Sequence, residues 1–308
     1  MEPFGPVFEG DQPAHAALQV LLDALQQRHA GSVMAVLFYG SCLRSGDLSD
    51  GLVDLYVIVR GYRQAHTHTL SAMANRVLAP NVYYLQRPVA ELTVRCKYAV
   101  LSIEDLERGV SRNWFESYIW GRFSQPVALA YSADGTTRTR VRACLRRAVI
   151  TLLDRTLPCA PPQGTISELW ERSLALSYAT ELRAEGSRRP ATLVEYGAGF
   201  FQQATQAVAT ELRWPFEIDG ASYRATPAPA VRRRARMAWA LRRICGKLLS
   251  VLRLLKALFT FEGGFDYIAW KLERHSGRAV NIPARVRKYP LIFVWGFMWR
   301  LYREGVLR

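Results

Sequence analysis

Val33-Met34-Ala35-Val36-Leu37-Phe38-Tyr39-Gly40-Ser41 and, one loop later, Leu52-Val53-Asp54-Leu55-Tyr56-Val57-Ile58-Val59 decide the fold. Each is a short apolar run bounded by glycines, which is the pattern of a buried strand. The connecting stretch 40–51 contains three glycines, three serines and two aspartates and reads as a loop, with room for one helical turn. Strand, Gly-Ser turn, loop, strand and Asp together supply what nucleotidyl transfer needs. Backbone N–H groups and a small hydroxyl at a tight turn hold a triphosphate. A carboxylate on the next strand holds a divalent cation, which prefers hard oxygen ligands and neutralises charge that develops on phosphate. Gly40 has no side chain to block a phosphate, Ser41 offers a hydroxyl and an amide, and sheet pairing brings Asp54 beside them. Taken alone, the same residues also fit a plain strand-ending turn with an edge aspartate.

The chain has 308 residues, enough for two modest cores. Half of it is hydrophobic and 22% is charged, so it is a globular rather than a disordered sequence. The net charge of +15 is unevenly spread: residues 221–308 hold 19 Lys+Arg and 4 Asp+Glu, whereas residues 1–220 hold 22 of each. A basic third on a neutral remainder points to a separate anionic partner. The five cysteines form no Cys-x-x-Cys pair, which argues against a zinc site or disulfide framework and for a reducing compartment. No basic n-region opens the chain, and no apolar run reaches the ~18 residues that span a bilayer. The expected location is the cytoplasmic side of a membrane, peripherally attached.

Helical spacing covers 14–30 and 67–79, and further strands are expected at 82–85 and 92–101. Ser102 and Asp105 read as a capped helix start whose helix runs on toward Trp120. From 137 the pattern is helical (141–156, 167–182 and 192–213), then 214–230, with three prolines, reads as a linker. The expected fold class is α/β: a nucleotidyltransferase domain at 1–136, a helical domain at 137–220 and a basic amphipathic, membrane-facing region at 221–308.

Motifs further along the chain narrow the reading. In order they are Asn81-Val82-Tyr83-Tyr84, Lys97-Tyr98-Ala99-Val100-Leu101-Ser102, Asn113-Trp114 with Tyr118-Ile119-Trp120-Gly121-Arg122 and Pro126-Val127, and Leu176-Ser177-Tyr178 with Glu181-Leu182-Arg183. With the Gly-Ser and Asp54 segments, they resemble in order and spacing the mitochondrial phosphatidate cytidylyltransferases, also called translocator assembly and maintenance proteins. The resemblance implies a polymerase-β-type nucleotidyltransferase fold that makes CDP-diacylglycerol from CTP and phosphatidate with Mg²⁺. The superfamily's usual second acid, two residues after Asp54, is here Tyr56, and the family likewise lacks a simple Asp-x-Asp. Cys42, Ala99, Trp120 and Glu181 depart from the family's Gly, Gly, Ala and Asp, which bears on substrate choice more than on reaction class.

From this resemblance Asp54, Glu181 and Lys97 are the expected catalytic residues, with Asp54 and Glu181 as metal ligands. Tyr39, Gly40, Ser41, Arg122 and Arg183 are expected to bind the nucleotide. Lys97 would meet a phosphate as a point charge, and Arg122 and Arg183 would fork onto one. Each also has a structural reading: an edge lysine, helix-capping arginines, a surface glutamate. His66 and His68 form a His-x-His pair with no third ligand nearby in sequence.

In 232–256, arginines and lysines alternate with Trp239, Leu241, Ile244, Leu248, Leu249, Leu252 and Leu255 at helical spacing. A basic face opposite an apolar one suits an anionic lipid interface, and the aromatic segment 292–300 suits the headgroup level. Nucleic acid is the less favoured partner. The alternatives are a nucleotidyltransferase acting on an RNA end or another phosphorylated lipid, and a non-catalytic membrane-binding descendant.

Overall fold

The computed structural model describes residues 12–29, 31–48, 51–182 and 188–260, and scattered positions between 264 and 303. Helix α1 (Gln12–Arg28) leads into β1 (Val33–Tyr39), the short α2 (Ser41–Ser45) and β2 (Leu52–Val59). Next come α3 (Tyr62–Ala65), α4 (Thr69–Val77), β3 (Asn81–Val89), β4 (Leu92–Ser102), α5 (Ile103–Gly109), α6 (Tyr118–Phe123) and β5 (Ala128–Ser132). The five strands form one sheet in the order β3-β4-β2-β1-β5. Only β2 and β4 run parallel; the other pairs are antiparallel.

Both expected strands of the opening segment form, and their register matters. Tyr39 lies opposite Asp54, and Asp54 opposite Lys97. In-register neighbours share a face, so Tyr39, Asp54 and Lys97 form a row across three strands. The next row on that face is Leu37, Tyr56 and Ala99, all buried in a core shared with α5–α7 and the later helices. The opposite face, with Val53, Leu55, Phe38, Cys96 and Tyr98, packs against α1 in a second core.

The helical part begins with α7 (Gly135–Thr156), followed by β6 (Gln163–Thr165), α8 (Ile166–Tyr178), α9 (Arg189–Tyr196) and α10 (Ala198–Val208). Capping residues set several starts. Ser102 Oγ accepts from the Asp105 amide, as the sequence pattern expects, and Thr165 with Glu168 forms a reciprocal capping box on α8. Two expectations are corrected. The helix after Ser102 does not run to Trp120: α5 ends at Gly109, where a Cβ would come within 2.9 Å of Ile119, and α6 restarts at Tyr118. Nor is 214–230 a linker throughout, because β7 (Phe216–Asp219) and β8 (Ser222–Ala225) turn at Gly220 and join β6 in a small sheet.

Helix α11 (Pro229–Thr260) follows the small sheet. Trp239 is buried edge-on against Trp120. Arg242 is buried too, stacked over Phe115 and donating to its carbonyl at 2.8 Å. The outer side carries Met237, Leu241, Ile244, Leu248, Val251, Leu252 and Leu255, each exposed. No helix among the described residues is long and apolar enough to cross a membrane.

Candidate active site

A cavity of ≈ 380 Å³ opens where the ends of β1, β2 and β4 meet α6, the end of α8 and the start of α9. It is lined by Tyr39, Gly40, Ser41, Asp54, Lys97, Arg122 and Glu181, residues far apart in sequence that the fold brings together. Arg183 lies outside the described residues.

Gly40 has φ +91° and ψ −158°, a region that is essentially glycine-only. A Cβ there would stand 2.5 Å from Asp54 Oδ2. Glycine is therefore required twice: for the backbone turn, and for the space the Asp54 carboxylate occupies. Cys42 is buried in the first turn of α2, and its thiol donates to the Leu52 carbonyl. A Cβ on Gly51 would lie 2.3 Å from its sulfur. The thiol thus fills the space between the two ends of the loop, away from the cavity lining.

Tyr56, standing where a second acid is usual, is buried, with its ring against Tyr39 and Phe123 and its hydroxyl 3.4 Å from that of Tyr118. Burial, followed by the Asp54 charge, holds the Tyr39 phenol well above its ordinary range. Burial and Tyr118 do the same for Tyr56. Neither is a phenolate at neutral pH.

Arg122 is the hub of the site. Its Nη2 donates to Glu181 Oε2 at 3.0 Å, and the guanidinium stacks over Tyr118 and Tyr39. Burial works against its charge, but Tyr56, Tyr118, Glu181 and Tyr39 outweigh it and hold the group above the usual arginine range. Its Nε is buried without a hydrogen-bond partner. Lys97 is half-buried, and its ammonium makes no hydrogen bond or ion pair among the described residues.

The segment bearing Glu181 is fixed by close packing. A Cβ on Gly121 would lie 2.0 Å from Ser177 Oγ, and one on Gly246 of α11 would lie 2.5 Å from the Thr180 carbonyl. Thr180 is tied to Ser117 Oγ at 2.6 Å, and Tyr178 donates to Gln125 at 2.8 Å. These contacts give the Tyr118–Arg122 and Leu176–Glu181 motifs a physical reason to occur together.

Arg44, Gln125, Tyr178, Arg189 and Tyr196 also line the cavity. Arg44 was signalled only by its position on the helix that Ser41 starts. Arg189 and Tyr196 come from α9, with no local signal. The Tyr196 hydroxyl donates to the Arg44 carbonyl, tying α9 to α2.

Among the described residues no three His, Cys, Asp or Glu side chains cluster as a protein-only metal site. Mg²⁺ needs no such cluster when one or two carboxylates act with substrate phosphates, and Asp54 beside the open Gly40 backbone suits that arrangement. A carboxylate has about four lone-pair sites, so Glu181 can serve an arginine and a cation together. His66 belongs elsewhere: it is bonded to Asn75 and Tyr83, and burial, with the charges of His29, Lys256 and Arg28, lowers it to about 4.

The model of the family described as "Phosphatidate cytidylyltransferase, mitochondrial" matches residues 56–188, a range that includes Lys97, Arg122 and Glu181 and stops short of Asp54. No curated protein matches the sequence. A solved nucleotidyltransferase-like protein from Exiguobacterium sibiricum 255-15 is similar at 11% identity over 94% of this chain and 91% of that one. Its TM-score of 0.27 is too low for the architecture to be argued from it. Over residues 56–188, a little under half of its length, the chain is therefore similar to the family of mitochondrial phosphatidate cytidylyltransferases.

Proposed function

We propose that the protein transfers the cytidylyl group of CTP to the phosphate of phosphatidate, releasing pyrophosphate and forming CDP-diacylglycerol, while bound to a membrane surface. The observation that supports this most is the convergence of Gly40, Ser41, Asp54, Lys97 and Arg122 in one cavity, in a chain whose residues 56–188 match the model of that family.

In this reading the Gly40-Ser41 turn receives the triphosphate through its backbone amides and hydroxyl. Asp54, with Glu181 as the second available carboxylate, would hold a divalent cation. Such an ion, when bound, would neutralise charge that develops on the phosphates. Arg122, oriented by Glu181 and its two tyrosines, forks onto a phosphate, and Arg183 is a second proposed contact. Lys97 holds phosphate charge at the edge of the row.

An oxygen of the lipid phosphate attacks the α-phosphorus of CTP. A new P–O bond forms, the bond from the α-phosphorus to the bridging oxygen breaks, and its electron pair leaves with pyrophosphate. The lipid phosphate is already largely ionised at neutral pH, so neither a protein nucleophile nor a strong general base is needed. Catalysis rests on positioning and on charge stabilisation.

The exposed apolar side of α11 and the excess of basic residues in 221–308 support attachment to an anionic bilayer. The attachment is proposed to be peripheral and on the cytoplasmic side.

The test is incubation of purified protein with labelled CTP, Mg²⁺ and phosphatidate liposomes. Lipid-extractable label from the wild type and its loss in Asp54→Ala are expected. Equal, background label in both would overturn the proposal, and label moving to an RNA end in a parallel acceptor panel would redirect it.

A further inference from the structure

Asp154 is buried on α7, and both of its carboxylate oxygens are taken. Oδ2 accepts from Arg112 Nε at 2.6 Å and Oδ1 from the Arg213 backbone N–H at 2.8 Å. Around it opens a separate cavity of ≈ 240 Å³ that shares no lining residue with the candidate active site. Five arginines line it: Arg112 after α5, Arg155 on α7, Arg213 after α10, and Arg234 and Arg242 on α11. Asp154 is the one acid in that lining, so five positive charges face one negative. Three of the five are committed to the fold. Arg112 spans Asp154 and the Glu211 carbonyl, Arg155 Nη2 donates to the carbonyls of Arg112 and Trp114 at 2.8 Å each, and Arg242 holds the Phe115 carbonyl. The other two are not. The Arg213 guanidinium is 56% exposed and comes no nearer than 3.9 Å to Asp154. Arg234 is exposed and makes no hydrogen bond or ion pair among the described residues. Glu211, in the same segment as Arg213, is taken by Arg146 at 2.7 Å. Burial, followed by the charge of Arg213, lowers the Arg155 guanidinium below its usual range despite Asp154.

We infer that this cavity is a second anion site, separate from the candidate active site, which takes a small free oligophosphate of the pyrophosphate class. Arg213 and Arg234 fork onto its oxygens from two different elements, and Arg155 supplies charge from α7. Like charges gathered in a partly desolvated space repel one another, and an anion of two or more charges offsets that. The volume is below the ~300–1,000 Å³ of pockets that enclose drug-sized molecules, which disfavours a whole nucleotide. No leucine, isoleucine or phenylalanine lines the cavity, so it offers no seat to an acyl chain. An anion held by both arginines joins the first turns of α11 to the segment after α10. The site stands on this geometry whichever reaction the first cavity performs.

The experiment is calorimetric titration of the full chain with pyrophosphate at fixed ionic strength, beside phenylglyoxal modification of arginines read by peptide mapping. The variants are Arg213→Gln with Arg234→Gln, both at exposed positions with little risk to folding, and Lys97→Ala in the first cavity. Pyrophosphate is expected to slow modification of Arg213 and Arg234 severalfold while leaving exposed Arg224, on β8, unprotected. The double variant should lose one binding event, its affinity falling by about tenfold or more, and Lys97→Ala should keep that event. Binding at the first cavity as well would change the number of events, not the residues on which this one depends. Equal pyrophosphate binding by the double variant and the wild type would overturn the assignment, as would Arg213 and Arg234 protected no better by pyrophosphate than by chloride. Sedimentation with phosphatidate liposomes that needs these two arginines, without pyrophosphate binding, would overturn it in favour of a lipid headgroup.

Discussion

Gly40 and Asp54 occupy one small volume: the position a Gly40 Cβ would take is 2.5 Å from Asp54 Oδ2. Gly40→Ala must therefore either move the carboxylate or abandon the turn, in a backbone region that costs other residues about 1–3 kcal/mol. Loss of transfer activity to near the Asp54→Ala level is expected, with CTP affinity, read by calorimetric titration, reduced as well. Wild-type turnover by Gly40→Ala would show that the carboxylate is not held against this backbone.

Glu181 can act as a metal ligand, as the orienting partner of Arg122, or as both, and Glu181→Gln separates these. Loss of a charged hydrogen bond to Arg122 is expected to lower kcat/KM by roughly 10- to 100-fold. If Glu181 also holds the ion, the Mg²⁺ concentration giving half-maximal rate rises. If it only orients Arg122, that concentration stays put and the CTP KM rises. Arg122→Lys keeps the charge but loses the planar fork, and is expected to be nearly as damaging.

Gly121 and Ser177 interlock so closely that Gly121→Ala should overpack the joint between α6 and α8, at a cost of about 1–3 kcal/mol. Ser177 Oγ is buried without a hydrogen-bond partner, so Ser177→Gly removes the obstructing atom at small cost. Thermal unfolding of the double variant is expected to recover most of the melting temperature lost in Gly121→Ala. Additive losses would mean that the glycine is needed for another reason.

His66 has a folded-state value of about 4, below its ordinary 6.5. The unfolded chain therefore binds more protons between those values, and stability rises with pH across that window. The contribution is fully in place above about 6.5 and lost as pH falls to about 4. In His66→Gln the slope of unfolding free energy against pH between 4 and 6.5 should be shallower than in the wild type, measured by urea denaturation. An unchanged slope would show that the ring is not held neutral by its Asn75 and Tyr83 contacts.

Ile244 and Leu248 are 60% exposed on the outer side of α11. Substituting aspartate at both should abolish sedimentation with anionic liposomes. It should leave stability within about 0.5 kcal/mol per site, as surface changes usually do. Sedimentation equal to that of the wild type would remove this helix face from the membrane reading.

The strands and the Gly-Ser turn were legible because buried strands and glycine-only turns write local patterns: apolar runs for β1 and β2, and Ser102 three residues before Asp105. The carboxylate–arginine arrangement was only half legible. Arg122 and Glu181 could be singled out, but their pairing depends on how α6 and α8 meet, which the glycine at 121 permits and does not announce. The β7–β8 hairpin was hidden by Pro215, Pro227 and Pro229, although Asp219-Gly220 between two short β-prone runs is itself a hairpin signal. In α11 the sequence showed two faces but not which one points inward. Arg242 and Arg253 are drawn in by backbone carbonyls and Glu116, leaving the leucines outside. Trp120, a departure from the family's alanine, is matched by Trp239 more than a hundred residues away. Much of the aromatic segment 292–300 lies outside the described residues.

Gly246 lets α11 rest directly on the Thr180 carbonyl, one residue from Glu181. If the leucine side of α11 lies on a bilayer as proposed, a single helix, about 10–12 Å across, separates lipid from the reacting groups. A lipid would need to rise by little more than its headgroup, with most of its acyl length still among its neighbours. The chain would then work on a membrane component without carrying it through water, and full-length acyl chains would cost it little more than short ones.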